Sequence, residues 1–483
     1  MFLKQNLFVL CGLLIFLAGC NKGIEGDLNE NILPETYVVA DTIIRSGDNR
    51  FVSQIDISWS GTDADGYVAG YEYSFNGTDW GYTERQDSTF LIELPEGEDT
   101  FDVEFSVRAV DNRGGKDATP ARLVYPVKNS PPAVEFVYQD PVSGTPSRNP
   151  VKSFPVLKIE WLATDRDGTA NIDKLELALN DTNLSVLEVA PEYSSALIEA
   201  KDPRSDNSDC NVYLGSVLKL QEKALPGLKM NDTNVFFIKV YDKVGVSSKF
   251  VQSAKIYIQK VESDVLLVNG YSRNIGDREQ FYIDGLNAAG FTNFDTIRVN
   301  EVVNNNYTSL AADNPTQARI FSLYKTMIWF GQDAPYLLTL AQRTTSEFFN
   351  NGGTMFASVY FNSGIDKQSQ YLDFTPIDSL VGAFFINKDA EVKAEVADWP
   401  TLSTDRVISS ARPFQEIANA TAIYNAEMIT QNGPWEGKST IMASKSGQNG
   451  KPQFILCSVE LYRLNANNNM APFFTKLMQE LGQ

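Results

Sequence analysis

Twice in this chain a tryptophan is followed four residues later by an Asp-x-Asp-Gly turn. The first copy reads Trp59-Ser60-Gly61-Thr62-Asp63-Ala64-Asp65-Gly66, with Val107-Arg108-Ala109-Val110-Asp111-Asn112-Arg113-Gly114 further on. The second reads Trp161-Leu162-Ala163-Thr164-Asp165-Arg166-Asp167-Gly168, then Ile238-Lys239-Val240-Tyr241-Asp242-Lys243-Val244-Gly245. Ile55 and Ile57, or Leu157 and Ile159, alternate before each tryptophan. Val68, Tyr71, Tyr73 and Phe75, or Ile172, Leu175, Leu177 and Leu179, follow in near period two. Short alternating runs between Asp/Gly turns predict two β-sandwiches with the tryptophan between the sheets. The copies occupy 35–130 and 131–262 and meet at Asn129-Ser130-Pro131-Pro132, a stiff join. An insertion at 183–230 carries Val212, Leu214, Val217 and Leu220, so part of it is expected to pack.

This pattern resembles fibronectin type III, PKD-like and related immunoglobulin-like modules over residues 35–260. The resemblance implies a fold and not a ligand, because such sandwiches host many functions. Asp63, Asp65 and Asp111 in one copy, and Asp165, Asp167 and Asp242 in the other, have two readings. Carboxylates with backbone carbonyls are what Ca²⁺ binds. Short Asp side chains before glycine also cap their own turns, and this is the preferred reading. No other cofactor is expected.

From Asp264 the rhythm changes to strands alternating with helices. Val265–Asn269, Phe294–Val299, Thr326–Phe330, Thr354–Val359 and Phe454–Val459 read as strands. Asp277–Ala289, Pro335–Asn350 and Met470–Leu481 read as helices. Buried strands alternating with helices predict a three-layer α/β domain over 263–483, its sheet mostly parallel and covered on both faces. The opening strand, the strand ending at Phe330, the helix leading into Asn351-Gly352-Gly353-Thr354-Met355-Phe356 and the final strand–helix pair resemble the flavodoxin-like fold of class I glutamine amidotransferase-like domains; residues 385–450 match poorly. The resemblance implies a cysteine nucleophile on a sharp turn, served by histidine. Here that turn reads Tyr360-Phe361-Asn362-Ser363-Gly364. It lacks cysteine, and the chain contains no histidine. A non-catalytic domain is the expectation. Its crevice at the carboxyl ends of the strands would be lined by Asn269, Tyr271, Gln332, Asp333, Tyr360, Phe361, Asn362 and Ser363, with Tyr271, Tyr360 and Phe361 exposed for contact.

The amino terminus carries Lys4, an apolar run Leu7–Phe16 and then Leu17-Ala18-Gly19-Cys20. The run has signal-peptide length and is too short for a bilayer span, which takes about 20 residues. The four residues ending at Cys20 resemble the lipobox of bacterial lipoproteins, which implies acylation of Cys20 and removal of residues 1–19, leaving Cys20 as the first residue of the mature chain. Residues 21–34 are polar and acidic (Glu25, Asp27, Glu30), a flexible tether with a loose likeness to the export signal of Bacteroidota surface lipoproteins. The formal charge of −20 disfavours nucleic acid and flat binding to anionic lipid. Cys210 and Cys457 are read as free thiols. Thr42, Ser88, Thr296 and Ser379 fall in triplets that resemble the Bacteroidota O-glycosylation signal. Gly433–Thr440 has three residues between its glycines where a phosphate loop needs four, so a surface turn is expected. Trp80, Tyr82, Trp329 and Trp435 are aromatic candidates for stacking on sugar, with Trp80 preferred and Trp329 assigned to the core. The functional expectation is an outer-membrane, surface-exposed lipoprotein that binds or assembles with another envelope protein. Glycan binding for polysaccharide uptake and carboxylate-dependent hydrolysis are the alternatives.

Overall fold

The structure is a computed structural model that describes residues 30–39, 54–92, 95, 100–137, 152–299, 302–303, 306–307, 314–362, 372, 374–447 and 450–483. The apolar leader, Cys20, most of the acidic tether, Thr42 and Ser363 lie outside the described residues. Among the described residues no helix is long and apolar enough to cross a membrane. The chain divides after Ser130 into two compact units, with Arg166–Gly168 counted to the first.

The first unit is an immunoglobulin-like sandwich with seven strands among the described residues. Glu35–Val39, Gln54–Thr62 and Asp87–Leu91 form one sheet, and Gly81–Thr83, Val68–Ser74, Thr100–Asp111 and Ala121–Lys128 the other. Val103, Phe105, Val107 and Ala109 alternate inward along one strand and meet Trp59 in the core. A buried indole N–H needs an acceptor. Trp59 Nε1 finds the carbonyl of Arg85 at 2.9 Å, and Trp161 Nε1 finds that of Tyr193 at 3.0 Å. The sequence repeat therefore extends to the hydrogen bond that seats each tryptophan.

The second sandwich opens the second unit. Its larger sheet runs Lys219–Leu220, Asn207–Leu214, Ser195–Ala200, Val156–Thr164, Ala133–Val137, with Leu225–Lys229 also on Asn207–Leu214. Leu187–Val189, Ile172–Leu179, Phe236–Asp242 and Val251–Gln252 form the facing sheet. The insertion supplies strands to both sheets. Val212 and Leu214 pack as expected, but Val217 is 79% and Leu220 55% exposed, because Gly215 and Leu218 turn the chain outward with positive φ.

The carboxyl-terminal region is built on a nine-stranded sheet. In spatial order it runs Asp295–Arg298, Val265–Asn269, Thr326–Gly331, Thr354–Val359, Pro452–Cys457, Thr440–Ser446, Ala420–Ala426, Glu391–Ala394, Leu402–Ser403. The first five are mutually parallel. The other four join antiparallel, so the sheet is mixed, not mostly parallel. The reason is connection length: a parallel pair needs a crossover of a dozen or more residues, and among the described residues no helix lies between Ile377 and Cys457. The expected helix Pro335–Asn350 is split into Ala334–Thr344 and Ser346–Asn350. There the hydroxyls of Thr344 and Thr345 donate back to the carbonyls of Leu340 and Ala341, both at 2.7 Å, a bonding that bends helices. Gly285 within helix Ile275–Ala288 makes room for helix Met470–Glu480, since a Cβ there would collide with Phe474.

Packing is continuous across residues 262 and 263. Phe154, Val156, Leu197 and Val261 share one core with Ile320, Phe321 and Tyr324. Asp295 accepts from the backbone N–H of Glu262 and Ser263 and from the Tyr324 hydroxyl. Arg319 pairs with Glu199 at 3.3 Å, and Asp264 with both Arg204 and Lys325 at 2.6 Å.

Candidate functional site

Strand Val265–Asn269 is buried along its whole length and delivers Asn269 to its carboxyl end. The Asn269 amide donates to the Ile275 carbonyl at 3.0 Å and to Glu279 Oε2 at 3.2 Å, while its oxygen accepts from Tyr271 N–H. One side chain thus joins the strand end to the first turn of the following helix. Burial pushes the Glu279 carboxyl up. Its hydrogen bonds from Arg298 (2.8 and 2.9 Å) and Asn269 outweigh this and hold it below the usual range.

A second buried carboxylate lies beside the first strand. Glu460 follows the last parallel strand and is 6% exposed. It accepts from the hydroxyls of Tyr271 (3.2 Å) and Tyr462 (3.0 Å) and from Arg463 Nε at 2.5 Å. The Arg278 guanidinium lies 3.6 Å from the centre of the Tyr462 ring and 6.0 Å from that of Tyr271. Loop 458–464 is fixed from below, where Ser358 Oγ accepts from Leu461 N–H and donates to the Val459 carbonyl. Nothing in the sequence reading marked Glu279, Glu460, Arg278 or Arg463. The available signal was Glu460-Leu461-Tyr462-Arg463, a charged stretch directly after a parallel strand.

The expected crevice residues do not all line a surface. Tyr271 is 1% and Phe361 0% exposed, so neither ring is the contact area it was expected to be. Loop 458–464 covers the Tyr271 hydroxyl, and Phe361 packs into the core shared with the second sandwich. Asn269 is buried and fully engaged. Gln332 is half-buried and donates to Ser272 Oγ at 3.0 Å. Asp333 is exposed and caps helix Ala334–Thr344 through Tyr336 N–H. Tyr360 is half-buried and Asn362 exposed.

The thiols are chemically quiet. Burial pushes Cys457 and Cys210 each up to about 12, so neither is a thiolate at neutral pH.

Most of the sandwich aspartates accept backbone N–H groups of their own turns or of the entering segments. Asp111 Oδ1 accepts from Arg113 and Gly115 N–H, and Asp242 Oδ1 from Val244 and Val246 N–H. The two turns are capped by the same offsets. Asp111 Oδ2 takes the Asn31 amide at 2.6 Å, and Asp65 takes Ile32 N–H and the Arg113 guanidinium. Asp63 accepts from Asp65 N–H. In the second copy Asp167 accepts from Ser130 N–H; Asp165 is buried nearby in sequence. Ile32 and Ser130 both stand three residues before their copy's first strand. Each Asp-x-Asp-Gly turn therefore receives the segment that leads into its own copy. Among the described residues no group of three or more acidic or cysteine side chains is placed to hold a metal ion.

The remaining candidates are dispersed. Trp80 is covered by the Arg108 guanidinium at 4.1 Å. Tyr82 is exposed and its hydroxyl bonds the Ala69 carbonyl. Trp329 is buried, and Trp435 packs on Phe384. Gly433–Pro434 pairs with Ile429–Thr430 as a small hairpin. Ser88 and Thr296 are half-buried within strands, and Ser379 is buried and bonded to Asp378.

No family model and no curated protein matches the chain. Among solved structures, the PKD1 domain of Vibrio anguillarum Epp is similar at 13% identity, covering 20% of this chain and 98% of that one, with a TM-score of 0.15. The fibronectin(III)-like modules of Clostridium thermocellum CbhA reach 16% identity, 46% and 94% coverage, and a TM-score of 0.17. SGBP-B of the Bacteroides ovatus mixed-linkage glucan utilization locus, in complex with a mixed-linkage heptasaccharide, gives 9% identity, 47% and 70% coverage, and a TM-score of 0.14.

Proposed function

We propose that this chain is a lipid-anchored protein of the bacterial outer membrane that acts as a non-enzymatic binding or assembly subunit. Acylation at Cys20 supplies the anchor, and the immunoglobulin-like modules carry a degenerate amidotransferase-like domain. The flavodoxin-like assignment is supported by strand order: numbered along the chain, the five parallel strands lie 2-1-3-4-5. One observation carries the functional reading. At the strand ends, both buried carboxylates are already paired with arginines of this chain. Glu279 is held by Arg298 and Glu460 by Arg463, the described thiols are buried, and the chain has no histidine. Such a site has no nucleophile-and-base pair for acyl transfer. It retains directed hydrogen-bonding groups on a rigid frame, which suits recognition.

The test is incubation of the purified chain with amide, ester and glycoside substrates. No turnover is expected. Turnover that disappears in Glu460→Gln or Glu279→Gln, with the fold intact by circular dichroism, would show these carboxylates to be catalytic.

A further inference from the structure

We infer that the strand-end cluster receives a carboxylate, and that Arg278 binds it as the free carboxyl terminus of a partner polypeptide. This rests on the proposal that the region binds rather than catalyses. Arg298 and Arg463 each face a carboxylate of this chain, Glu279 and Glu460. Arg278 has no ion-pair partner among the described residues; its side-chain contacts are the rings of Tyr462 and Tyr271. It is half-buried, so the cation is only partly solvated, and the face of the Tyr462 ring rather than a carboxylate lies against it.

Its geometry is set in advance. The Tyr462 ring under it is held at its hydroxyl by Glu460 and Arg463. Stacking occupies a face of the guanidinium and leaves its N–H edge as the recognition surface. A planar fork of donors matches a carboxylate through two parallel hydrogen bonds. Ordering the fork beforehand lowers the entropy lost on binding.

A peptide terminus fits better than an acidic sugar. Sugar rings want an open aromatic face, and here Tyr271 and Phe361 are buried while Tyr462 lies beneath Arg278. Among the accessible groups the Arg278 edge, Gln332, Ser272 and Asn362 are polar, and the Tyr360 ring beside them is half-buried.

The experiment uses the full chain and a panel of N-acetylated tripeptides with varied last residues. Each is supplied as the free acid and as the amide, and binding is followed by calorimetry up to about 10 mM, a range that captures weak sites. At least one free acid is expected to bind about tenfold or more tightly than its amide. Arg278→Gln is expected to erase that difference, and Arg278→Lys to keep part of it. Should Arg278→Gln fail to fold by circular dichroism, Arg278→Lys and Tyr462→Phe carry the comparison; Tyr462→Phe keeps the ring and frees its orientation. Equal binding of acid and amide, no binding by any free acid, or Arg278-dependent binding of glucuronate in place of peptide overturns the inference. Hydrolysis of a peptide would instead defeat the non-enzymatic reading, so the two failures are distinguishable.

Discussion

Glu279 is the residue on which the strand ends depend most. It sits where a helix starts, accepts from the Asn269 side chain that ends the first strand, and takes a two-point contact from Arg298. Its carboxyl is held below the usual range, as are those of Glu72 beside Lys116 and Arg108 and of Asp264 beside Lys325 and Arg204. A carboxylate whose folded pKa is depressed contributes stability that is present above its unfolded pKa, about 4. That contribution is lost as pH falls through the folded value. Asp295 has the opposite sign: burial raises it, so its contribution is full below about 4 and fades as pH rises through its folded value. The Asn31 amide holds Asp111 below its usual range as well, so four depressed carboxylates against one raised one set the direction. Thermal melts at stepped pH are expected to show the melting temperature falling as pH drops from about 6 to about 3. Glu279→Gln is expected to melt lower at neutral pH and to lose part of that pH dependence. A variant with an unchanged pH profile would show that Glu279 is not a stabilising group.

Among the elements, helix Ile275–Ala288 shows propensity yielding to packing. Glycine inside a helix costs about 1 kcal/mol relative to alanine, yet at Gly285 a Cβ would collide with the Phe474 ring. Gly285→Ala is therefore expected to destabilise by about 1–3 kcal/mol, the range for overpacking, in urea unfolding monitored by circular dichroism. Stabilisation by Ala would mean that the two helices pack less closely than described. The sandwiches were legible in sequence because tryptophan, turn and alternation repeat with one spacing. The edge strand Asp295–Arg298 is an alternating segment between Phe294 and Val299; the other four of the five parallel strands were legible because each holds a run of apolar residues. The antiparallel extension was not, since Glu391–Ala394 and Leu402–Ser403 are too short to show a period. Nor was the burial of Tyr271. The strand-end rule located that position, but its cover is Glu460, 189 residues away, and nothing local announces such a contact. The Asp-x-Asp-Gly turns were found as turns, while their role in seating Ile32 and Ser130 depends on segments that the repeat did not include.

At the scale of the whole molecule, the second sandwich and the α/β region share a core and a set of ion pairs, so they present one continuous frame beneath the strand ends. The first unit has its own core around Trp59, and the segment Asn31–Ile32 entering it is fastened to Asp111 and Asp65. In the anchored form that we propose, a tether ending on this fastened segment would pass any pull from the anchor to folded structure. The proposed frame is carried on a lipid anchor and holds another envelope protein. The most direct measurement is affinity purification of the full-length chain from detergent-solubilised membranes, beside Cys20→Ser and Arg278→Gln. The wild type is expected in the detergent phase with its amino terminus acylated by intact mass, and with one envelope protein co-purifying in constant ratio. Cys20→Ser is expected to leave the detergent phase, and Arg278→Gln to stay anchored but lose the partner. A wild-type chain that purifies alone, or a Cys20→Ser chain that remains membrane-bound without acylation, would contradict the account.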